Sequence, residues 1–269
     1  MRLGCIDYLN CFPFYYHMLE KQPLPGVEIV SAYPSALNGM MNEGALDMGP
    51  MSAAEYADIR ERTLLLPQFA LSSVGYVKSV VLLSNHPIEE LSGKTVGLSN
   101  ASKTSVVLLK ILLQKHYGLA PRYLPAPPRP DLEALDAALV IGNEAMMDDR
   151  QPVPFSYDLG DLWLRRTGHP VVFAVFAVQR EYARAHDREV RAVIDSYRAS
   201  LDRLASERER LIAAAARRYP DIRYDIDHYY TLLQFEFTDA LKKALQFYFD
   251  EAAALGLLPR VPSLVFFPH

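Results

Sequence analysis

GKTVGLSNASKTSVVLLKILLQKHYG, residues 93–118, changes its chemical pattern twice within 26 residues, and that pattern decides the fold. Residues 95–98 read as a strand, 99–103 as a loop of small residues, and 104–118 as a helix. The helix carries Val106, Val107, Leu108, Leu109, Ile111, Leu112 and Leu113, apolar on nearly every face, so it is expected to be buried. Gly118 suits a C-terminal cap, and Pro121 stands just beyond it. Ser102, Thr104 and Ser105 fall in the first turn, where backbone N–H groups lack intrahelical partners. Those donors and the positive end of the helix dipole can serve a carboxylate or phosphate. The other reading is that the three residues only cap the helix. The loop is not GxxxxGK[ST], which excludes P-loop chemistry.

The same alternation extends outward on both sides. Residues 2–7 read as a strand, 8–13 as a loop, 14–20 as a helix with Pro13 near its first turn, and 26–33 as a second strand. Pro34-Ser35 opens a helix ending at Gly44, with Ser35 as the expected N-cap. Residues 45–49 (ALDMG) are a short buried strand, and Ser52-Ala53-Ala54-Glu55 has the spacing of a capping box. Residues 64–83 are rich in strand formers and show no helical pattern, and Ser84-Asn85-His86-Pro87 breaks the chain. The alternation restarts through 95–98, the helix, and 137–141 (AALVI), while five prolines in 121–130 predict a stiff connector. Residues 171–178 (VVFAVFAV) form a continuous apolar strand. From 181 the chain is helical, with Val190, Ile194, Tyr197, Leu201 and Leu204 on one stripe, a stop at Pro220, and a last helix over 238–255.

This pattern predicts an α/β fold of two lobes, each a mostly parallel sheet flanked by helices. Lobe 1 is expected from 1–87 and 172–269, with lobe 2 inserted as 88–171. Ligands in open α/β sheets bind beyond the carboxyl ends of strands, so the cleft between the lobes is the expected site.

Composition narrows the function. The chain has 269 residues, 50% of them hydrophobic, enough for one large core or two moderate ones. A formal net charge of −4 offers no nucleic-acid surface, and no apolar run reaches membrane-spanning length. The opening MRLGCIDYLNCFPFYY runs into a polar-interrupted strand, not a signal core, so a cytoplasmic location is expected. Cys5 and Cys11 form no CxxC pair or disulfide framework, and the seven histidines show no HExxH or paired metal spacing. Cys11 reads as a small buried residue, His17 as packed, and Asp7 and Glu144 as carboxylates that nothing in the sequence brings together. Met40, Met41, Met48 and Met51 read as core, and Arg165, Arg166, Arg217 and Arg218 as solvated helix faces.

Several segments occur in a fixed order: IDYLNCFPFY from Ile6, PSALNGMMNEGALDMGPMSAAEY from Pro34, SVVLLS from Ser79, residues 93–118, DAALVIGNEAM from Asp136, and YDLGDLWLRRTGHPVVFAV from Tyr157. Together they resemble the chorismate dehydratases, first enzymes of the futalosine route to menaquinone. The likeness covers most of residues 1–180 and is weak over the C-terminal helices. YLN-x-x-P and the LN…G-x-LD-x-G…S…EY series are its specific parts; the strand–turn–helix is common to many folds. The resemblance implies a two-lobed, two-crossover fold of the periplasmic-binding-protein type. It implies that chorismate loses water to give 3-[(1-carboxyvinyl)oxy]benzoate, with no cofactor. The substrate's own enolpyruvyl carboxylate would take the ring proton, and the pocket would act as a mould for a near-attack conformer. A related family that makes dihydroxynaphthoate later in the pathway has a Ser-Pro-Cys-Pro-Asn-Asp type sequence in place of YLNCFP. A non-catalytic binding protein for a small carboxylate would share the fold.

Asn10 and Ser79 fall on positions the dehydratases use. Asn10 would orient a carboxylate or the departing hydroxyl, and Ser79 would reach the ligand from the first crossover. Spacing alone favours an Asx-type turn for Asn10 and an ordinary strand serine for Ser79. Thr104 and Ser105 would offer donors to one carboxylate. Ser52 reads as a cap before a ligand contact, and Gly142 would let backbone approach the ligand, with Asn143 beside it. Lys103 departs from the dehydratase loop, although a cation suits a carboxylate site. The implied partner is chorismate, without nucleic acid or membrane, and a homodimer is left open.

Overall fold

In the computed structural model, which describes residues 1–147 and 152–268, the alternation becomes two sheets joined by two crossings of the chain. The chain opens with β1 (Arg2–Ile6), α1 (Phe12–Glu20), β2 (Glu28–Ala32), α2 (Pro34–Asn42), β3 (Met48–Ser52), α3 (Ala53–Ile59) and β4 (Thr63–Ser73). It continues with β5 (Val80–Ser84), β6 (Thr95–Ser99), α4 (Lys103–Ile111), β7 (Arg122–Ala126), β8 (Ala137–Ile141), β9 (Phe155–Asp158) and α5 (Leu159–Thr167). It then runs through β10 (Val171–Gln179), α6 (Arg180–Ala185), α7 (Asp187–Ser206), α8 (Arg208–Arg218), α9 (Ile226–Leu232), β11 (Leu233–Glu236) and α10 (Asp239–Ala254). The strand orders are β11-β4-β10-β3-β1-β2 and β7-β6-β8-β5-β9. Neither sheet is mostly parallel as expected: each keeps a parallel β-α-β centre, β2-β1-β3 and β7-β6-β8, but antiparallel pairings are at least as numerous, because the strands at the two crossings run back against that centre. Among the described residues, no helix is long and apolar enough to cross a membrane.

The first crossing lies earlier than the break at 84–87. β5 pairs antiparallel with β8 and β9 in the second sheet, so the chain leaves the first sheet between Ser73 and Val80. Ser84-Asn85-His86-Pro87 is instead a turn within that sheet: the Ser84 hydroxyl donates to the His86 carbonyl at 2.7 Å. At the other end, β10 pairs with β3 and β4 of the first sheet.

The 93–118 stretch forms the expected strand, loop and helix, with Ser102 as N-cap accepting from the Ser105 amide. The helix does not run uniformly to Gly118; it loosens into a π-type turn at Leu112–His116. The proline-rich connector is partly a strand: β7 pairs parallel with β6, with Pro125 opposite Leu98, which an edge position tolerates. Ser35 does not cap α2. Tyr33 holds the N-cap position, and the Ser35 amide donates to the Ala101 carbonyl at 3.2 Å. The capping box at Ser52 does not form either, because Glu55 accepts from Lys103 at 3.1 Å and no side-chain cap bond is made by Ser52.

Packing of the first sheet centres on Phe14 of α1, which meets Phe69, Phe176 and Tyr197 of β4, β10 and α7, with 4.3 Å between the Phe14 and Phe176 ring centroids. Tyr15 donates to the Gly4 carbonyl and shares a 2.7 Å hydroxyl contact with Tyr197, so both buried phenols are satisfied.

The first crossing is held by a carboxylate. Asp158 caps α5 by accepting from the Asp161 amide at 3.1 Å, and also accepts from the amides of Val77 and Lys78, the latter at 2.7 Å. Lys78 has φ +67°, a backbone region that a side chain disfavours. Gly160 lies so near that a Cβ would fall 2.2 Å from the Gly75 carbonyl oxygen, so α5 seats on the crossing only with glycine there. Burial raises the Asp158 carboxyl above its ordinary value, and the backbone donors oppose that shift. Asp158→Ala strands the part-buried amides of Val77 and Lys78 and is expected to cost about 2–3 kcal/mol, read as a lower denaturant midpoint at unchanged m-value. Asp158→Asn keeps one acceptor oxygen and removes the buried charge, so it should cost less than the alanine variant; equal or greater loss would contradict this account.

Candidate functional site

Several strand ends of the two sheets meet at one cavity of about 490 Å³ of empty space, its mouth included. Ile6 ends β1, Ser52 ends β3, Ile141 ends β8, and Ser102 and Ser105 open the helix that follows β6. These are the carboxyl ends of the parallel strands, where α/β sheets place ligands. Leu71, Val77, Phe173, Ala174 and Leu233 add apolar wall from β4, the first crossing, β10 and β11. The polar lining consists of Asn10, Ser52, Ser79, Ser102, Ser105 and the Tyr8 phenol. Tyr8 is the one ordinarily titratable side chain among the described lining residues, and burial, with the Glu144 charge next in weight, raises its phenol far above neutrality.

Ser79 stands where the crossing becomes β5. Its amide donates to the Val77 carbonyl at 2.8 Å, and its carbonyl accepts from the Gly142 amide at 2.7 Å. Its hydroxyl accepts from Tyr229 of α9 at 2.8 Å. Asn10 lies in the short 3₁₀ turn Leu9–Cys11, and its Oδ1 is buried without a hydrogen-bond partner. The turn is tied down twice: the Leu9 amide donates to Asn143 Oδ1 at 2.8 Å, and the Leu9 carbonyl accepts from the Tyr230 hydroxyl at 3.1 Å. Gly142, with φ +66°, lies under the Tyr8 ring; a Cβ there would sit 2.4 Å from a ring carbon. The close approach that glycine permits is therefore to Tyr8, which borders the cavity with it.

Of the residues singled out in the sequence, Asn10, Ser52, Ser79, Ser105 and Gly142 line the cavity. Thr104 and Asn143 do not appear in its wall. The Thr104 hydroxyl accepts from the Ala54 amide at 3.1 Å and its carbonyl accepts from Tyr248, so it joins α3, α4 and α10. Asn143 holds the first loop, as described above. Lys103 turns to Glu55 and Asp58 on α3, leaving the helix opening without that cation. Arg218 is not merely a solvated helix residue. It pairs with Asp7 at 3.3 Å in a wider polar recess that Tyr8, Glu144 and Tyr219 also border. Glu144 accepts from Tyr33 at 3.1 Å.

Tyr229 and Tyr230 were not legible as site residues. They lie in a C-terminal segment between the stop at Pro220 and the last helix, where the structure forms α9, capped by the Asp225 carboxylate, which accepts from the His228 amide at 3.1 Å. Burial raises both phenols, that of Tyr230 well above its ordinary value. Cys11 is fully buried and its thiol is pushed well up by burial, which disfavours the thiolate. His17 packs toward α7, its Nδ1 3.0 Å from the Ser196 hydroxyl, with burial lowering its pKa. Among the described residues, no group of three or more His, Cys, Asp or Glu is arranged to hold a metal ion.

The arrangement can bind a small anionic molecule through hydroxyl, amide and helix-end donors within apolar walls. Comparison with known proteins agrees in fold and family. A chorismate dehydratase of Thermus thermophilus is 31% identical over 284 aligned positions, covering 99% of this chain and 98% of that protein. A 1,4-dihydroxy-6-naphtoate synthase of the same organism is 26% identical, with coverage of 99% and 98%. The crystal structure of the periplasmic aliphatic sulphonate binding protein of Escherichia coli aligns at TM-score 0.68 and 17% identity, over 97% of this chain and 94% of that one. That likeness shows the fold: two sheets arranged as in the periplasmic binding proteins. Residues 1–254 match the menaquinone biosynthesis family, and the chain belongs to it.

Proposed function

We propose that this protein is a chorismate dehydratase, converting chorismate to 3-[(1-carboxyvinyl)oxy]benzoate and water. The observation that carries the reading is the cavity lining: hydroxyls and an amide stand in apolar walls, and Tyr8, the one ordinarily titratable side chain among the described lining residues, has its pKa raised. Such a site suits a reaction whose base comes with the substrate. The ring carbon bearing the enolpyruvyl ether gives its proton to the enolpyruvyl carboxylate. The C–H electron pair becomes a ring double bond, and the neighbouring C–O bond breaks to release the hydroxyl oxygen, which leaves as water once protonated. Aromatisation drives the elimination, so the protein's task is to hold one conformer and support the leaving oxygen.

Each lining group has a part in that task. Ser102, Ser105 and the positive end of α4 favour one carboxylate. Ser79 and Asn10 lie where they can meet the hydroxyl and the enolpyruvyl arm; the unpartnered Asn10 Oδ1 is an acceptor suited to a hydroxyl donor. Ser52, its hydroxyl not used as a cap, adds a further polar group. The reading assigns the protein to the cytoplasm, with chorismate as its required partner and no cofactor. The naphthoate synthase reading is second. The YLNCFP loop, which supplies Tyr8 and Asn10 to the wall, favours the dehydratase.

Purified protein mixed with chorismate is expected to form the benzoate product, followed by absorbance and mass, with no loss after exhaustive chelation. Activity that vanished on chelation and returned with a divalent ion would remove the cofactor-free part. Asn10→Ala and Ser79→Ala should each lower the single-turnover rate on the order of a hundredfold. Cys11→Ala, His17→Ala and Glu144→Gln should stay substantially active; if Glu144→Gln bound chorismate but lost the chemical step, the substrate-supplied base would be wrong. Gly142→Ala should displace Tyr8, cost ~1–3 kcal/mol of stability and weaken chorismate binding, measured by denaturant unfolding and titration.

A further inference from the structure

We propose that Tyr229 is a positioning residue that holds the Ser79 hydroxyl as a hydrogen-bond donor into the cavity. The assignment rests on the dehydratase reading above and deepens it. Ser79 has little backbone freedom: its amide is committed to Val77 and its carbonyl to Gly142. What is left to set is the rotation of its hydroxyl, which carries one hydrogen and two acceptor lone pairs. An unrestrained serine could spend that hydrogen on a neighbouring carbonyl or turn it away from a ligand. The Tyr229 hydroxyl donates to Ser79 Oγ at 2.8 Å and occupies one of the lone pairs. The Ser79 hydrogen is thereby directed elsewhere, and Ser79 borders the cavity. Donation from the phenol also polarises the Ser79 O–H and strengthens it as a donor.

The support for the phenol is itself built. Tyr229 is 0% exposed, and a buried hydroxyl is costly unless bonded, so packing alone would be served by phenylalanine. Its helix, α9, continues directly into β11, whose Leu233 is in register with Ser73 at the end of β4. The helix is thus anchored to the strand from which the first crossing departs. The adjacent Tyr230 holds the Leu9 carbonyl, so neighbouring phenols on one short helix act on the two segments that carry Ser79 and Asn10. In the elimination, the Ser79 hydrogen bond stabilises charge growing on the leaving oxygen. No proton passes along the Tyr229–Ser79 pair, and the balance of the reaction is unchanged.

The test compares wild-type protein, Tyr229→Phe, Ser79→Ala and the double variant in single-turnover reactions with chorismate, alongside binding and thermal unfolding. Tyr229→Phe is expected to bind chorismate within about threefold of wild type, while the chemical step slows between about tenfold and a hundredfold. In the Ser79→Ala background, Tyr229→Phe should cause no further slowing, because its effect acts through Ser79. Losses that multiply in the double variant, or a Tyr229→Phe rate equal to wild type, would overturn the assignment while leaving the dehydratase reading intact. Wild-type protein that does not dehydrate chorismate would overturn both. Should Tyr229→Phe fail to fold, incorporation of 3-fluorotyrosine at position 229 changes donor strength with little change in packing. A single-turnover rate unaffected by that replacement would also overturn the assignment.

Discussion

The Asp158 carboxylate is the interaction on which the site's geometry depends. It accepts amides from Val77 and Lys78 on the first crossing and from Asp161 in the first turn of α5. A left-handed residue such as Lys78 is disfavoured by roughly 1–2 kcal/mol, and persists when its surroundings over-determine it. The compensation comes from charge-assisted acceptance of backbone donors. Val77, Ser79 and Val80, all on or next to that turn, enter the cavity wall. The chain thus places ligand-facing groups on a segment whose own backbone preference is poor, with a carboxylate from a neighbouring strand end holding it.

An apolar wall around hydroxyl donors changes what those donors can do. In water a serine hydroxyl competes with solvent for an anion; in a wall of Leu71, Val77, Phe173 and Leu233 that competition is reduced and each hydrogen bond strengthens. Fixed arginines within the wall would bind a dianion more tightly, but would do so in its ground state as well as in its reacting state. Neutral donors aimed at particular oxygens discriminate by geometry. The arginines instead lie outside: Arg129 and Arg218 border the outer polar recess, where their long-range field acts on approach more than on chemistry.

Much of the fold was legible because the strand–loop–helix alternation is local. Residues 93–118 carry their own strand, cap and buried helix, and the structure forms them in place. The first crossing was misread for a physical reason: residues 64–83 are rich in strand formers, and the single Gly75 between β4 and β5, with φ +78°, is a weaker break in the sequence than Ser84-Asn85-His86-Pro87. What separates them is Asp158, a residue 80 positions beyond Lys78. Ser52 has the spacing of a capping box, yet Glu55 is drawn to Lys103, a pairing that local sequence cannot foresee. Thr104 looked like a ligand donor because it opens a helix, but a neighbouring helix supplies the Ala54 amide that engages it. Tyr229 was invisible for the same reason, since its hydroxyl meets Ser79, 150 residues earlier in the chain.

The proline-rich edge of the second sheet has a consequence for the life of the protein in a crowded solution. β7 is an outermost strand, and an outermost strand can template the addition of a foreign strand through its open row of N–H and C=O groups. Pro125 has no N–H to offer, and Pro121, Pro127 and Pro128 flank the strand closely. Half-exposed Leu124 would otherwise make this edge attractive to another chain. The connector's stiffness therefore also guards against self-association into extended β-structure: replacing these prolines with strand formers would leave the cavity untouched and expose the sheet to growth at its margin.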